Sequence, residues 1–126
     1  MKKIILYQLS EDRKDRISKI LKEDITVKFI DKNMLNEVVG DIFNDTEKNV
    51  SYEPDNDSIF DNEFMLIQGF DTDEDIRELL FSFKSNLVER PITSSRTESN
   101  EKWTLKELLK EIFEENEYMK NYNKQK

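Results

Sequence analysis

Four short apolar runs, each followed by apolar residues at helical spacing, constrain this chain more than any other feature. Lys3 to Leu9 holds Ile4-Ile5-Leu6-Tyr7, a nearly continuous β-prone run that suits a strand covered on both faces. Ser10 can cap the helix that follows, Glu11 and Asp12 favour its amino end, and Ile17, Ile20 and Leu21 form its inward stripe. Ile25 to Ile30 reads as a second strand. Asp31 then caps a helix expected from Lys32 to about Phe43, with Met34, Leu35, Val38, Val39 and Ile42 facing a core. Gly40 inside that helix costs roughly 1 kcal/mol relative to Ala, so close packing or a helix end is expected there.

Phe64 to Gln68 repeats the buried-strand pattern and ends at Gly69. Thr72 to Asp75 has capping-box spacing, and Ile76, Leu79, Leu80 and Phe83 follow at helical intervals. Residues 91–97 are Ser- and Thr-rich and fit an edge strand better than a central one. A second capping box, Thr104 to Glu107, opens a helix carrying Leu105, Leu108, Leu109, Ile112 and Phe113 to about Tyr118, with residues 120–126 expected to fray. Between these units, residues 44–63 form an acidic loop in which Lys48 is the one base among seven carboxylates, and Pro54 interrupts regular structure.

Strands joined by helices through short connections predict an α/β domain. The expected architecture is three-layered, with a mainly parallel four-stranded sheet ordered 2-1-3-4 and consecutive strands parallel; a two-layer α+β fold is the alternative. At 126 residues the chain fits one domain, 1–126. The formal net charge of −8 opposes binding to nucleic acid or an anionic membrane. The basic residues of 13–22 are interleaved with acids and read as a solvated helix face. No run is long and apolar enough for a membrane span or secretory core, which makes the cytoplasm the expected location. The chain has no His and no Cys, which removes imidazole bases, thiolate nucleophiles and Cys zinc sites.

Thr97-x-x-Asn100-x-x-Trp103-Thr104-Leu105, followed by the acidic helix Glu107 to Met119, resembles the DUF3783 family of small uncharacterised bacterial proteins. Val39-Gly40-Asp41-Ile42 and Phe64-Met65-Leu66-Ile67 look like that family's middle region, so the resemblance covers most of the chain. Family members carry an apolar strand before that Thr, often with a Lys, where this chain has Ser94, Ser95 and Arg96. The resemblance implies a small α/β domain and supplies no reaction.

Chemistry-bearing motifs are sparse. Asn100 and Trp103 at a strand-to-helix junction can hold a planar ligand or peptide, or can bond the turn and pack the last helix. Thr97 has the same duality. Asp71, Asp73 and Asp75 imitate the start of a calcium loop, but Ile76 replaces the turn Gly and Ser82 the twelfth-position carboxylate, so helix capping explains them better. Glu111 and Glu115 share a helix face without a second ligand set. No Gly-rich phosphate loop follows the first strand, and no spacing pairs a Ser with an activating Lys. The expected function is a non-catalytic protein-interaction or regulatory module with no catalytic residue, metal or cofactor and an unidentified protein partner. The alternative is a small metal-assisted enzyme or ligand-binding domain whose strand-end cleft gathers Asp31, Asp71, Thr97 and Asn100.

Overall fold

The computed structural model describes residues 1–51 and 57–124. Its four strands, β1 (Lys3–Tyr7), β2 (Thr26–Ile30), β3 (Phe64–Gln68) and β4 (Ile92–Ser95), form one sheet in the order β2-β1-β3-β4, as expected from the sequence. The two central strands are the most apolar, and the Ser-rich β4 lies at an edge. Helices α1 (Glu11–Ile20) and α3 (Asp73–Ser85) cover one face; α2 (Val39–Asn44) and α4 (Leu105–Lys124) cover the other. This produces two cores. Ile4, Leu6, Met65 and Ile67 meet Ile17, Leu79 and Phe83 on the first face, while Ile5, Tyr7, Phe64 and Leu66 meet Val39, Ile42, Leu105 and Leu109 on the second. Alternate residues of β1 and β3 therefore serve opposite layers, which is why both read as unbroken apolar runs.

β1–β2 and β3–β4 are parallel pairs, but β1–β3 is antiparallel, correcting the expectation that all consecutive strands run parallel. The cause is an extra pass of chain. A single helical return brings a chain back to the end where it started, whereas here α2 is followed by a second traverse. The chain turns at Asp45 (φ 58°), returns past Glu37 and Asn36, and reaches a 3-10 turn at Ser58–Asp61, where Asp61 meets Lys32 beyond the end of β2. β3 consequently enters from the end where β1 and β2 finish. Residues 52–56 of the expected acidic loop, and 125–126 of the expected frayed end, lie outside the described residues; α4 itself continues to Lys124.

The helix expected over 32–43 is instead a 3-10 turn at Lys32–Met34, a further turn over 35–37, extended backbone at Val38 (ψ 135°), and the short α2. Partnering across the molecule breaks it. Val39 N donates to Trp103 O at 2.8 Å, Leu105 N to Glu37 O at 2.9 Å, and Lys106 N to Leu35 O at 2.9 Å, so these groups are unavailable for helical bonds.

The two halves repeat one plan: strand, helix, strand, 3-10 turn, bridge residue, helix. In the sheet registers Lys3 corresponds to Phe64, Ile5 to Leu66, Thr26 to Ile92, Lys28 to Ser94 and Asp31 to Thr97. An approximate two-fold axis passes through the Ile5–Leu66 pair. Gln8 (φ 65°) and Gly69 (φ 85°) occupy equivalent left-handed positions after the central strands. The isolated bridge Val38–Thr104 lies on the same axis, because its two flanking hydrogen bonds, Val39 to Trp103 and Leu105 to Glu37, exchange when the halves are swapped.

Candidate functional site

The residues singled out from the sequence lie at opposite ends of the sheet. Asp31 follows β2, where its carboxylate accepts from Asn33 N at 2.9 Å and caps the 3-10 turn. It borders a shallow hollow with Ser10, Lys14, Phe29 and Asp61. Asp71, Thr97 and Asn100 lie beyond the carboxyl ends of β3 and β4, which point the other way. The structure therefore brings Thr97 and Asn100 together and separates both from Asp31. Asp71 is exposed beside the α3 cap, where Thr72 Oγ1 accepts from Asp75 N at 3.1 Å.

Thr97 and Asn100 bind each other's backbone. Asn100 N donates to Thr97 Oγ1 at 3.0 Å, Thr97 N donates to Asn100 Oδ1 at 2.8 Å, and Asn100 Nδ2 donates to Ser95 O at 2.9 Å. Asn100 is only 6% exposed. Its amide thus fastens the turn between β4 and α4. Trp103, half-buried, packs against the core under α4, and Thr104 and Glu107 form the reciprocal cap that their spacing predicts.

Several polar residues that shape this region carry no local sequence signal. Arg96 donates to Glu101 at 2.7 Å, to Gln68 at 2.6 Å and to Asn44 at 3.1 Å, and its guanidinium lies 5.4 Å from the Phe43 ring centre. It ties the two halves together at one sheet end. Glu37 is 2% exposed, and its two carboxylate oxygens accept from Lys48 N at 2.9 Å and Val50 N at 2.7 Å. Lys3 and Lys28 converge on the end of α2: Lys3 donates to Phe43 O and Asp45, and Lys28 to Ile42 O, Asp45 and Glu47. Hydrogen bonds from Lys28 and then Lys3 hold the Asp45 carboxyl at about 2, well below its ordinary 3.8. Burial pulls the Lys28 ammonium down, but its bonds to Asp45 and Glu47 raise it on balance. Their signal is long-range, since Lys3 and Asp45 meet only after the sheet has formed.

An open cleft of about 520 Å³ lies between β4 and α4. Ile92, Thr93 and Ser94 form one wall; Ile112, Asn116 and Met119 form the other; Glu89, Arg90, Glu115 and Lys120 stand around it. Ile92 N donates to Glu63 O and Arg96 N to Ile67 O, so strand alternation turns the N–H groups of Thr93 and Ser95 away from β3, toward the outer edge. Glu63 at the cleft's end is held bidentately by Arg13, at 3.0 and 2.8 Å. The arrangement offers main-chain hydrogen bonding beside a largely polar helix flank on which Met119 is the exposed apolar side chain. Among the described residues no cluster of three or more carboxylates could hold a metal ion, and no helix is long and apolar enough to cross a membrane.

No curated protein and no solved structure matches this chain. A family model does: the domain of unknown function DUF3783 matches residues 63–119. The Phe64–Ile67 segment and the Thr-Asn-Trp box fall inside that match, and Val39–Ile42 falls outside it. What the family model covers is the second of the two structural halves, β3 through most of α4.

Proposed function

We propose that this protein is a non-catalytic interaction module of the bacterial cytoplasm, a member of the DUF3783 family along its whole length, and that it docks a protein partner in the cleft between β4 and α4. One observation carries the reading: among the described residues the outer edge of β4 has no strand partner, and it stands beside the α4 flank that bears Asn116 and Met119. An unpaired strand edge is a template for another chain, and proteins that have no use for one normally cover or charge it. The net charge of −8 argues against nucleic acid and anionic lipid as the partner. The alternative small-ligand reading needs Asp31 beside Asp71, Thr97 and Asn100, and the opposed strand ends do not group them.

A photo-crosslinking amino acid placed at Ser94 in the full-length protein tests this in cells. The expected result is a discrete adduct with one protein species, absent when the same group stands at Asp73 on α3. Adducts from Asp73 but none from Ser94 would move the docking face to the other side of the sheet.

A further inference from the structure

Resting on the β4–α4 reading, we infer that the partner at the β4 edge is a second copy of this chain, whose own β4 pairs antiparallel with it across a two-fold axis through Ser94. The backbone of the edge supplies the first argument. Ile92 N and Arg96 N are spent on β3, so Thr93 and Ser95 direct both N–H and C=O outward. A two-fold through Ser94 sets Thr93 of each copy opposite Ser95 of the other, and every outward N–H of the two residues then meets a carbonyl. Ser95 O already accepts from Asn100 Nδ2, and its second lone pair serves the added bond. Ile92–Ser95 carries no charge that would discourage such pairing, whereas β2, at the opposite edge, carries Lys28.

Charge fits the same axis. Arg90 and Glu98 stand four residues to either side of Ser94; both are exposed, and among the described residues neither is in an ion pair. The two-fold exchanges their places, so Arg90 of each copy comes up beside Glu98 of the other, giving two opposite-charge pairs from one surface. The cleft gains its occupant from the same arrangement. An antiparallel partner lays its carboxyl end beside the amino end of β4, where Glu89, Arg90, Glu115 and Lys120 stand around the cleft. The 96–99 turn of the second copy enters there. A lining of both signs suits a turn that carries Glu98 with Lys102 close behind, and it suits a segment of one sign poorly. The contact is small and each copy carries a net charge of −8, so the dimer is a weak one, with a dissociation constant on the order of 0.1 mM.

The full-length protein has no Cys, so a single introduced thiol reports the pairing. Ser94 faces its own copy as a pair without ladder bonds, which sets the two Cα atoms about 4.5 Å apart, within disulfide reach. Ser94→Cys, oxidised at about 0.1 mM, should give a disulfide-linked dimer, and Asp73→Cys on α3 should not. Light scattering of the wild type should show the mass rising toward twice that of one chain as concentration increases. Thr93→Pro, which removes an outward N–H and spares those bonded to β3, should abolish the rise. Arg90→Glu and Glu98→Arg should each weaken dimerisation roughly tenfold, and the double reversal should restore it. Circular dichroism establishes that the variants are folded. A wild type that stays monomeric up to about 1 mM, a dimer indifferent to Thr93→Pro, or charge reversals without rescue would each overturn the inference. A Ser94 crosslink to a different protein in cells, with a monomer in solution, would reject self-pairing and keep the docking face; a monomer with no adduct from Ser94 would reject both readings.

Discussion

Glu37 and Asn100 show how a buried polar side chain can serve architecture instead of chemistry: each spends its bonding capacity on backbone that would otherwise lack partners. Glu37→Ala leaves the N–H groups of Lys48 and Val50 without their acceptor, and a charged acceptor is worth about 1.5–3 kcal/mol. Urea unfolding should report a loss in that range, with Glu37→Gln intermediate because an amide oxygen serves only one of the two donors well. Asn100→Ala removes bonds to Thr97 N and Ser95 O, and should cost about 1–3 kcal/mol in the same assay. Asp45 makes a pH prediction. Its folded pKa of about 2 lies below the ordinary 3.8, so its contribution is fully present above about pH 4 and is lost as pH falls through 2. Asp45→Asn tolerates the same left-handed backbone and removes the charge. Acid titration followed by circular dichroism should show the variant less stable than wild type at neutral pH, with the gap closing between pH 3.8 and 2.

At the scale of the element, helix competition with long-range bonding decides the stretch after β2. Local spacing favoured one helix over 32–43, and the Asp31 cap is indeed used, but Leu35, Glu37 and Val39 give their backbone groups to the segment opening α4. Gly40 then matters through proximity. A Cβ at that position would meet Glu101 O at 3.0 Å, a backbone atom with little freedom to move. Gly40→Ala gains roughly 1 kcal/mol in helix propensity but forces this contact, and overpacking of this kind costs about 1–3 kcal/mol. Thermal unfolding should find the variant less stable than wild type; a rise in midpoint would show that the two backbones part easily. Trp103 is half-buried under α4, so Trp103→Ala should cost about 2 kcal/mol, less than truncation of a fully buried indole. Near-wild-type stability would exclude it as the helix anchor.

Across the whole molecule, the antiparallel β1–β3 pair, the two shared cores, the Val38–Thr104 bridge and the Arg96 cluster all join one half to the other. Two hydrophobic cores, each built from both halves, do not depend on the covalent link between them. A specific protease site inserted between Ser51 and Asp57, cut after folding, should leave the fragments together in size-exclusion chromatography with an unchanged far-ultraviolet spectrum. Separation of the fragments would show that the connector itself holds the halves in register. The family match over residues 63–119 covers one half, so the first half supplies that matched unit with the two strands and the helices that complete its sheet and cores.

The sequence by itself determined the four strands, their central or edge placement, the Ser10, Asp31, Thr72 and Thr104 caps and the three-layer class, because each depends on neighbours a few residues apart. Strand polarity at the centre was not legible, since β3's direction depends on how many times residues 39–61 traverse the sheet. Spacing could not show that Asp31 and Asp71 would stand at opposite ends, whereas the bonding of Asn100 to the turn backbone was one of the two readings its place at the strand-to-helix junction offered. The cleft beside β4 was equally hidden: Ile92 and Ile112 read as ordinary core residues, and Ser94 as an edge hydroxyl. Only the folded molecule decides that α4 overhangs an open strand edge, because an edge and a helix flank become one surface through contacts between residues far apart in the chain.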